Sequence, residues 1–280
     1  MNLKRALKAV LREINFGRVE HVTSPSIATM NLLDGRVAFI SGGTGGIGKS
    51  IAKRFLQAGC KVIISGTSLE RVNSVVEELN SPVVRGMVLN LNNSEEIERT
   101  AKATLNVFPG SPVVDILVNA AGTNTNNGDV LSQGNDDWDQ ILGINLKGTF
   151  FLTQAFATQM IKYDTRGNIL NISSSSALRP AWGAYEISKW GIKGFTLGAA
   201  DTLIKYGIVV NAIGPGPTAT PMLGKTAGER LDLPDNPSGR YALPEEIAEA
   251  ALMLVSNSGR MIVGDTLYIT GGAGTICIDR

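Results

Sequence analysis

At 280 residues, with 43% hydrophobic and 18% charged side chains, the chain can bury a full core, and that balance excludes a disordered polypeptide. Lys and Arg number 26 against 25 Asp and Glu, a net charge of +1 that gives no overall pull on nucleic acid or acidic membranes. One histidine, His21, and two widely separated cysteines, Cys60 and Cys277, argue against histidine catalysis and a metal site, and for reduced thiols in a cytoplasmic protein.

Residues 1–33 read as a leader. Leu3, Leu7, Val10, Leu11 and Ile14 fall on one helical face with Lys4, Arg5, Lys8 and Arg12 beside them, and a polar connector follows. Such a segment docks on its own domain or a sister subunit, or touches a membrane surface or a partner protein through residues 1–20. No apolar run reaches membrane-spanning length, and no secretory signal pattern lines up. Residues 34–280 are expected to form the folded domain.

From Val37 the pattern is strand, glycine turn, helix. Val-Ala-Phe-Ile-Ser at 37–41 is a buried strand, and Gly-Gly-Thr-Gly-Gly-Ile-Gly at 42–48 runs into a helix ended by Gly59. Glycines there permit a tight turn and the close backbone approach that a pyrophosphate needs, with the helix N-terminus aimed at its charge. Further strands are predicted at 61–65, 87–90, 116–119, 168–172, 208–213 and 266–269. Helices are predicted at 68–79, 94–107, 136–163 with an interruption near Lys147-Gly148, 185–206 and 245–255. Apolar strands alternating with helices predict an α/β fold, a doubly wound, Rossmann-type, seven-stranded parallel sheet with helices on both faces, in one domain. Ligands of such sheets lie at the carboxyl ends of the strands, where the strand order reverses.

The stretch 173–189 carries the chemistry. Serines end an apolar strand, a Pro/Gly loop follows, and Tyr185 and Lys189 stand four apart on one helical face. A phenol titrates near about 10 and needs a nearby cation before it transfers protons readily at neutral pH. A serine hydroxyl from the preceding strand can hydrogen-bond a carbonyl oxygen as charge develops on it.

Over residues 33–274 these motifs together resemble the short-chain dehydrogenase/reductase family. Ser-Gly-Gly-Thr-Gly-Gly-Ile-Gly at 41–48 is similar to its cofactor loop, and Asn119-Ala120-Ala121-Gly122 to its Asn-Asn-Ala-Gly motif with the second asparagine replaced. Asn145, Ser174, Tyr185 and Lys189 match its catalytic tetrad, with Ser173 the alternative serine. Pro-Gly-Pro-Thr-Ala-Thr at 215–220 matches the loop that holds the nicotinamide carboxamide. The resemblance implies a cofactor held by Gly42, Thr44, Gly46, Ile47, Gly48, Thr67 and Asn90. Further contacts would come from Asn119, Ala120, Gly122, Tyr185, Lys189, Pro215, Gly216, Thr218 and Thr220. It also implies that Tyr185 exchanges a proton with the substrate oxygen, Ser174 polarises that oxygen, Lys189 lowers the phenol pKa, and Asn145 holds a water that resupplies protons. Gly66 stands where NAD-preferring members carry an acid, which points to NADP rather than NAD, with Arg71 and Lys49 as candidate partners of a 2′-phosphate.

Substrate-wall candidates are Ser174, Leu178, Trp182 and Met222, and the segment between Pro217 and Pro244 is where the family keeps a mobile lid. The wording is similar to 3-oxoacyl-carrier-protein reductases, with Arg166 and Lys205 as basic residues facing an acidic carrier. It is also similar to polyol and sugar-acid dehydrogenases. A cofactor-sensing regulator on the same fold would be expected to lack the tyrosine or lysine. The family's habit of assembling through its long helices implies a homo-oligomer, a tetramer or dimer, acting on a small ketone or alcohol.

Overall fold

The computed structural model describes residues 31–111, 113–124, 128–224 and 230–276. The leader pattern over 1–20 and Cys277 lie outside them. Leu33 is fully buried and its N–H donates to the Ala58 carbonyl at 2.9 Å, so the packed domain takes in the residue at which the leader was expected to end.

Seven strands form one parallel sheet: β1 Val37–Ser41, β2 Lys61–Gly66, β3 Val84–Val88, β4 Ile116–Asn119, β5 Asn168–Ile172, β6 Val209–Pro215 and β7 Thr266–Ile269. Their order is β3-β2-β1-β4-β5-β6-β7, so the winding reverses between β1 and β4. The helices are α1 Gly46–Gln57, α2 Leu69–Leu79, α3 Ser94–Ala103, α4 Asn135–Leu142, α5 Thr149–Lys162, α6 Ala184–Leu203 and α7 Pro244–Val255.

Strand side chains alternate between two cores, which is why β1 reads as an unbroken apolar run. Ala38, Ile40, Val62 and Ile64 pack with Ile51 and Phe55 of α1 and Ile247 and Leu252 of α7. Phe39, Ile63, Leu117 and Ile169 pack on the opposite face with Ile97 of α3 and with Leu152 and Phe156 of α5. The rings of Phe39 and Phe156 meet at 4.8 Å.

Strand β3 and the helix predicted over 94–107 differ most from the sequence reading, α3 ending at Ala103. Strand β3 begins at Val84 rather than 87, because pairing with β2 carries Arg85 and Gly86, and Gly86 has no room for a side chain against Val72 of α2. The interruption expected near Lys147-Gly148 in the long helix predicted over 136–163 is there, as a π-helical stretch, Gly143–Gly148, that takes in both residues. Gly143 and Gly148 press against Asn92 and Leu91 of the turn after β3, so a Cβ at either position would collide, and the extra residue per turn lets the helix bow around that turn.

Phe156 is fully buried at the centre of one core. Phe156→Ala is expected to lower stability by about 3–5 kcal/mol, read as a fall in the urea midpoint with an unchanged slope.

Candidate active site

Three turns meet at the carboxyl ends of β1, β4 and β6. Gly42 has φ +68°, and a Cβ there would lie 2.6 Å from the Ala121 backbone, so the glycine loop and the turn after β4 touch directly. A Cβ on Gly46 would lie 2.6 Å from the Thr220 side chain, which brings in the loop after β6. Helix α1 opens from Gly45 with no side-chain cap and no acidic residue in its first turn. Helices α2 and α3 instead begin on capping side chains, Ser68 and Asn93, with acids following. An uncapped N-terminus beside a glycine cradle fits the pyrophosphate of a dinucleotide, whose oxygens accept from the otherwise unpaired N–H groups.

Of the other residues expected to hold a cofactor, Thr44 lies against the end of β2, its hydroxyl 2.7 Å from where a Cβ on Gly66 would sit. Thr67 and Asn90 are exposed beyond β2 and β3, and Ile47 and Ala120 are half-buried against the core. Pro215 is buried at the end of β6, while Gly216 abuts the Thr270 backbone. The hydroxyls of Thr218 and Thr220 donate to the Gly216 and Thr218 carbonyls. The Asn119 amide turns inward and donates to Thr153 Oγ1 at 3.0 Å and Asn171 Oδ1 at 2.8 Å, tying β4 to α5 and β5. Asn171 continues to Thr196 of α6 at 2.9 Å.

The tetrad candidates converge. Tyr185 stands in the first turn of α6, with a phenol whose pKa the nearby Ser174 hydroxyl lowers. Ser174 Oγ also accepts from the Ser176 N–H at 3.1 Å, whereas Ser173 donates to the Lys189 carbonyl at 3.0 Å and is occupied in anchoring α6 to β5. Of the two serines that the sequence left open, Ser173 is thus tied to the backbone of α6 and Ser174 to the turn that follows it. Lys189 is buried with its amine donating to the Ile172 carbonyl at 3.1 Å and lying 5.6 Å from the centre of the Tyr185 ring. Asn145, in the π-helical stretch, accepts from the Thr123 N–H at 2.8 Å and donates to the Thr123 carbonyl at 2.9 Å and to Ser188 Oγ at 3.2 Å. Asn145 Oδ1 and Lys189 Nζ lie 3.5 and 3.6 Å from where a Cβ on Gly122 would sit, ordinary contact distances that place both groups against the turn after β4.

The electrostatics differ from the sequence expectation. Burial raises the Tyr185 phenol above its ordinary value, the Ser174 hydrogen bond brings it part of the way back, and Glu186 raises it. Burial also pulls the Lys189 ammonium down to about 8. Spacing in the sequence shows that the two groups are neighbours but says nothing of how dry their surroundings are, and desolvation is the larger effect on both.

Trp182 and Met222 are 55% and 61% exposed, on the loop before α6 and just past Thr220. Leu178 ends a short 3₁₀ helix after Ser174 and packs near Gly274. The segment expected as a lid is, over residues 230–243, a hairpin-like turn: Tyr241 N–H donates to the Leu231 carbonyl at 2.8 Å, and Ala242 N–H to the Pro217 carbonyl at 2.9 Å. Among the described residues no group of three or more His, Cys, Asp or Glu is placed to hold a metal. No helix among them is long and apolar enough to cross a membrane.

Comparison with known proteins agrees with this arrangement. Residues 42–274 match the family model described as enoyl-(acyl carrier protein) reductase. The chain is 36% identical over 247 residues to the 3-oxoacyl-(acyl-carrier-protein) reductase of Aquifex aeolicus, covering 86% of this chain and 98% of that one. It is 34% identical to the acetoacetyl-CoA reductase of an Acinetobacter species, covering 85% of this chain and 97% of the relative. Among solved structures, a 3-ketoacyl-(acyl-carrier-protein) reductase of Brucella melitensis complexed with NADH superposes with a TM-score of 0.77 at 29% identity, covering 87% of this chain and all of that one. The chain belongs to the short-chain dehydrogenase/reductase family. It is an oxidoreductase built around a nicotinamide cofactor.

The buried amine generates a prediction independent of turnover. A lysine that titrates at about 8 when folded and 10.5 ordinarily opposes folding below the lower value, and that opposition is released as pH rises towards the higher one. The stability of the wild type relative to Lys189→Met is therefore expected to rise between these two values, by up to roughly 3 kcal/mol in parallel urea titrations.

Proposed function

We propose that the chain reduces 3-oxoacyl thioesters to 3-hydroxyacyl thioesters, with Tyr185 as proton donor and NADPH as the preferred reductant. The observation that carries this reading is the Lys189 amine lying 5.6 Å from the centre of the Tyr185 ring, beside the turn after β4 that the glycine loop also touches. The bound cofactor would be held by the glycine loop and the 215–220 loop, and its nicotinamide supplies the hydride.

The chain's own groups handle the oxygen and the proton. Ser174 donates a hydrogen bond to the substrate carbonyl oxygen and fixes its position. Tyr185, kept protonated at neutral pH by burial, gives its proton to that oxygen as negative charge develops there. Lys189 beneath the ring stabilises the phenolate left behind and returns a proton to it. Asn145 braces the first turns of α6 against residue 123 through Ser188, whose hydroxyl donates to the Tyr185 carbonyl at 2.6 Å. With its amide engaged in this way, a water held by Asn145 would have to sit on a backbone carbonyl.

For the substrate, support comes from the two named relatives, which act on thioesters of a carrier protein and of coenzyme A. Arg166 packs over Gly207 in the turns that enter β5 and β6, at the opposite end of the sheet from the glycine loop, so this basic pair lends no support to a carrier docked at the site. Trp182 and Met222 on the exposed rim suit an acyl chain entering from outside. Ile187, Trp190 and Leu197 form an exposed apolar stripe along α6, continued by Ile204 just past its end, which supports assembly into a dimer or tetramer, and we place the protein in the cytoplasm.

The NADP preference rests on the end of β2. Thr44 fills the space beside Gly66 that an acidic side chain would take. Lys49 is committed to Glu78, with its amine 2.9 Å from both carboxylate oxygens, which leaves Arg71 as the cation to meet a 2′-phosphate. Arg71→Ala is expected to lower kcat/KM for NADPH roughly tenfold or more while leaving NADH within about twofold. Equal loss with both cofactors would remove Arg71 from this role.

The deciding assay offers acetoacetyl-CoA, a 3-oxoacyl carrier protein, polyols and sugar acids with both nicotinamide cofactors and follows absorbance of the reduced ring. Thioester-dependent oxidation of NADPH is expected; turnover confined to polyols or sugar acids would refute the thioester assignment. Tyr185→Phe is expected to bind cofactor normally and lose about 10²–10⁴-fold in kcat.

A further inference from the structure

The helix that carries Tyr185 and Lys189 is capped from outside itself. Its N-cap residue is Gly183, which offers no side chain, and the backbone N–H of Ala184 donates instead to Gln133 Oε1 at 3.1 Å. Ala184 is fully buried, so without that oxygen its N–H would have no water to turn to. The neighbouring Gly183 N–H donates to Glu186 Oε2 at 3.2 Å.

The turn before Gln133 is tied by its own hydrogen bonds. Asp129 Oδ1 accepts from the Leu131 N–H at 3.0 Å and the Ser132 hydroxyl at 2.7 Å, and Ser132 Oγ accepts from the Asp129 N–H at 3.0 Å. The carbonyl of Gly128 lies so close to Gly183 that a Cβ on Gly183 would collide with it. The same loop leads directly into α4 and the π-helical stretch, where Asn145 reaches Ser188 on the next turn of α6. The first two turns of α6 are thus held at two points, both from the chain segment on either side of α4.

We infer that Gln133 is a positioning residue for proton transfer: its side-chain oxygen fixes the N-terminus of α6 and with it the depth at which the Tyr185 hydroxyl meets Ser174. This rests on the reading of Tyr185 as proton donor. A displacement of about an ångström at a reacting group is enough to lower turnover by up to about 10²-fold, so a cap one residue away has leverage on rate without touching substrate.

The test compares Gln133→Leu, which keeps the shape but removes the acceptor, with Gln133→Asn, which is polar but one methylene short, and Gln133→Glu, which keeps an oxygen in reach. Hydrogen exchange over residues 183–188 and steady-state kinetics with acetoacetyl-CoA are read on the full chain. Leu and Asn are expected to speed exchange there and lower kcat about tenfold, with KM for the cofactor within about twofold. Glu is expected to restore both to within about threefold of the wild type, since an anion near a helix N-terminus is also favoured. Unchanged exchange in Leu and Asn overturns the inference whether or not the enzyme turns over, as does faster exchange with kcat intact. A wild-type protein inert towards every thioester overturns the functional reading instead, and the exchange pattern still decides whether Gln133 holds the helix.

Discussion

An amine buried under a phenol, held by one carbonyl oxygen, is the constraint around which the site is organised. Lys189 gives up its hydration to sit beneath Tyr185, and the Ile172 carbonyl is the acceptor that its amine finds there. Desolvation of this kind is costly for a charge, and it draws the ammonium down to about 8. The same dryness raises the phenol, so both groups are set by their surroundings more than by each other. In the proposed reaction, a donor that stays protonated until an oxyanion forms, above a cation whose field strengthens as water is excluded, suits reduction of a carbonyl.

Holding that pair requires the sheet and α6 to be fixed against one another with little slack. Ser173 bonds the Lys189 carbonyl from the end of β5, and the chain from Asn119 through Asn171 to Thr196 ties the same helix to two strands deeper down. Gly191 lets α6 approach Leu146 of the π-helical stretch, where a Cβ would come within 2.8 Å of the leucine side chain. Hydroxyls, amides and absent side chains, rather than ion pairs, set the distances. Neutral hydrogen bonds serve here because each is buried and therefore expensive to leave unmade.

Much of this was legible in the chain. The spans of β1, β4, β5 and β7 fall where apolar runs end at glycine, asparagine or serine turns, and the glycine loop and the Tyr185–Lys189 pair both lie at the carboxyl-end side of the sheet. What the sequence hid has physical causes. Strand β3 is an edge strand in which Arg85 and Gly86 carry no apolar signal. The choice between Ser173 and Ser174 turns on which hydroxyl the fold already employs, and a run of four serines cannot reveal that. Desolvation of Tyr185 and Lys189 depends on what the rest of the chain stacks around them. The ties of the 230–243 turn pair residues far apart in the chain, such as Ala242 N–H with the Pro217 carbonyl and Asn236 with the Thr270 carbonyl, and no local pattern marks them. Gln133 sits 51 positions before the N–H it caps, and no local pattern marks a contact of that range.

Two helix N-termini in this fold are handled in opposite ways, and the difference follows from what each must do. The first turn of α1 begins at Gly45 with no side chain to accept from its N–H groups and no acid nearby, so its partial positive charge stays available to a phosphate. The first turn of α6 also begins at a glycine, Gly183, yet there Gln133 and Glu186 take up the donors. An open N-terminus at α6 would attract the same anions and would fray, and either event would displace the phenol one residue along. Glycine at both caps therefore has distinct reasons. At α1 it clears space for a ligand, while at α6 it lets the Gly128 carbonyl approach so closely that a glutamine from another loop can reach the helix.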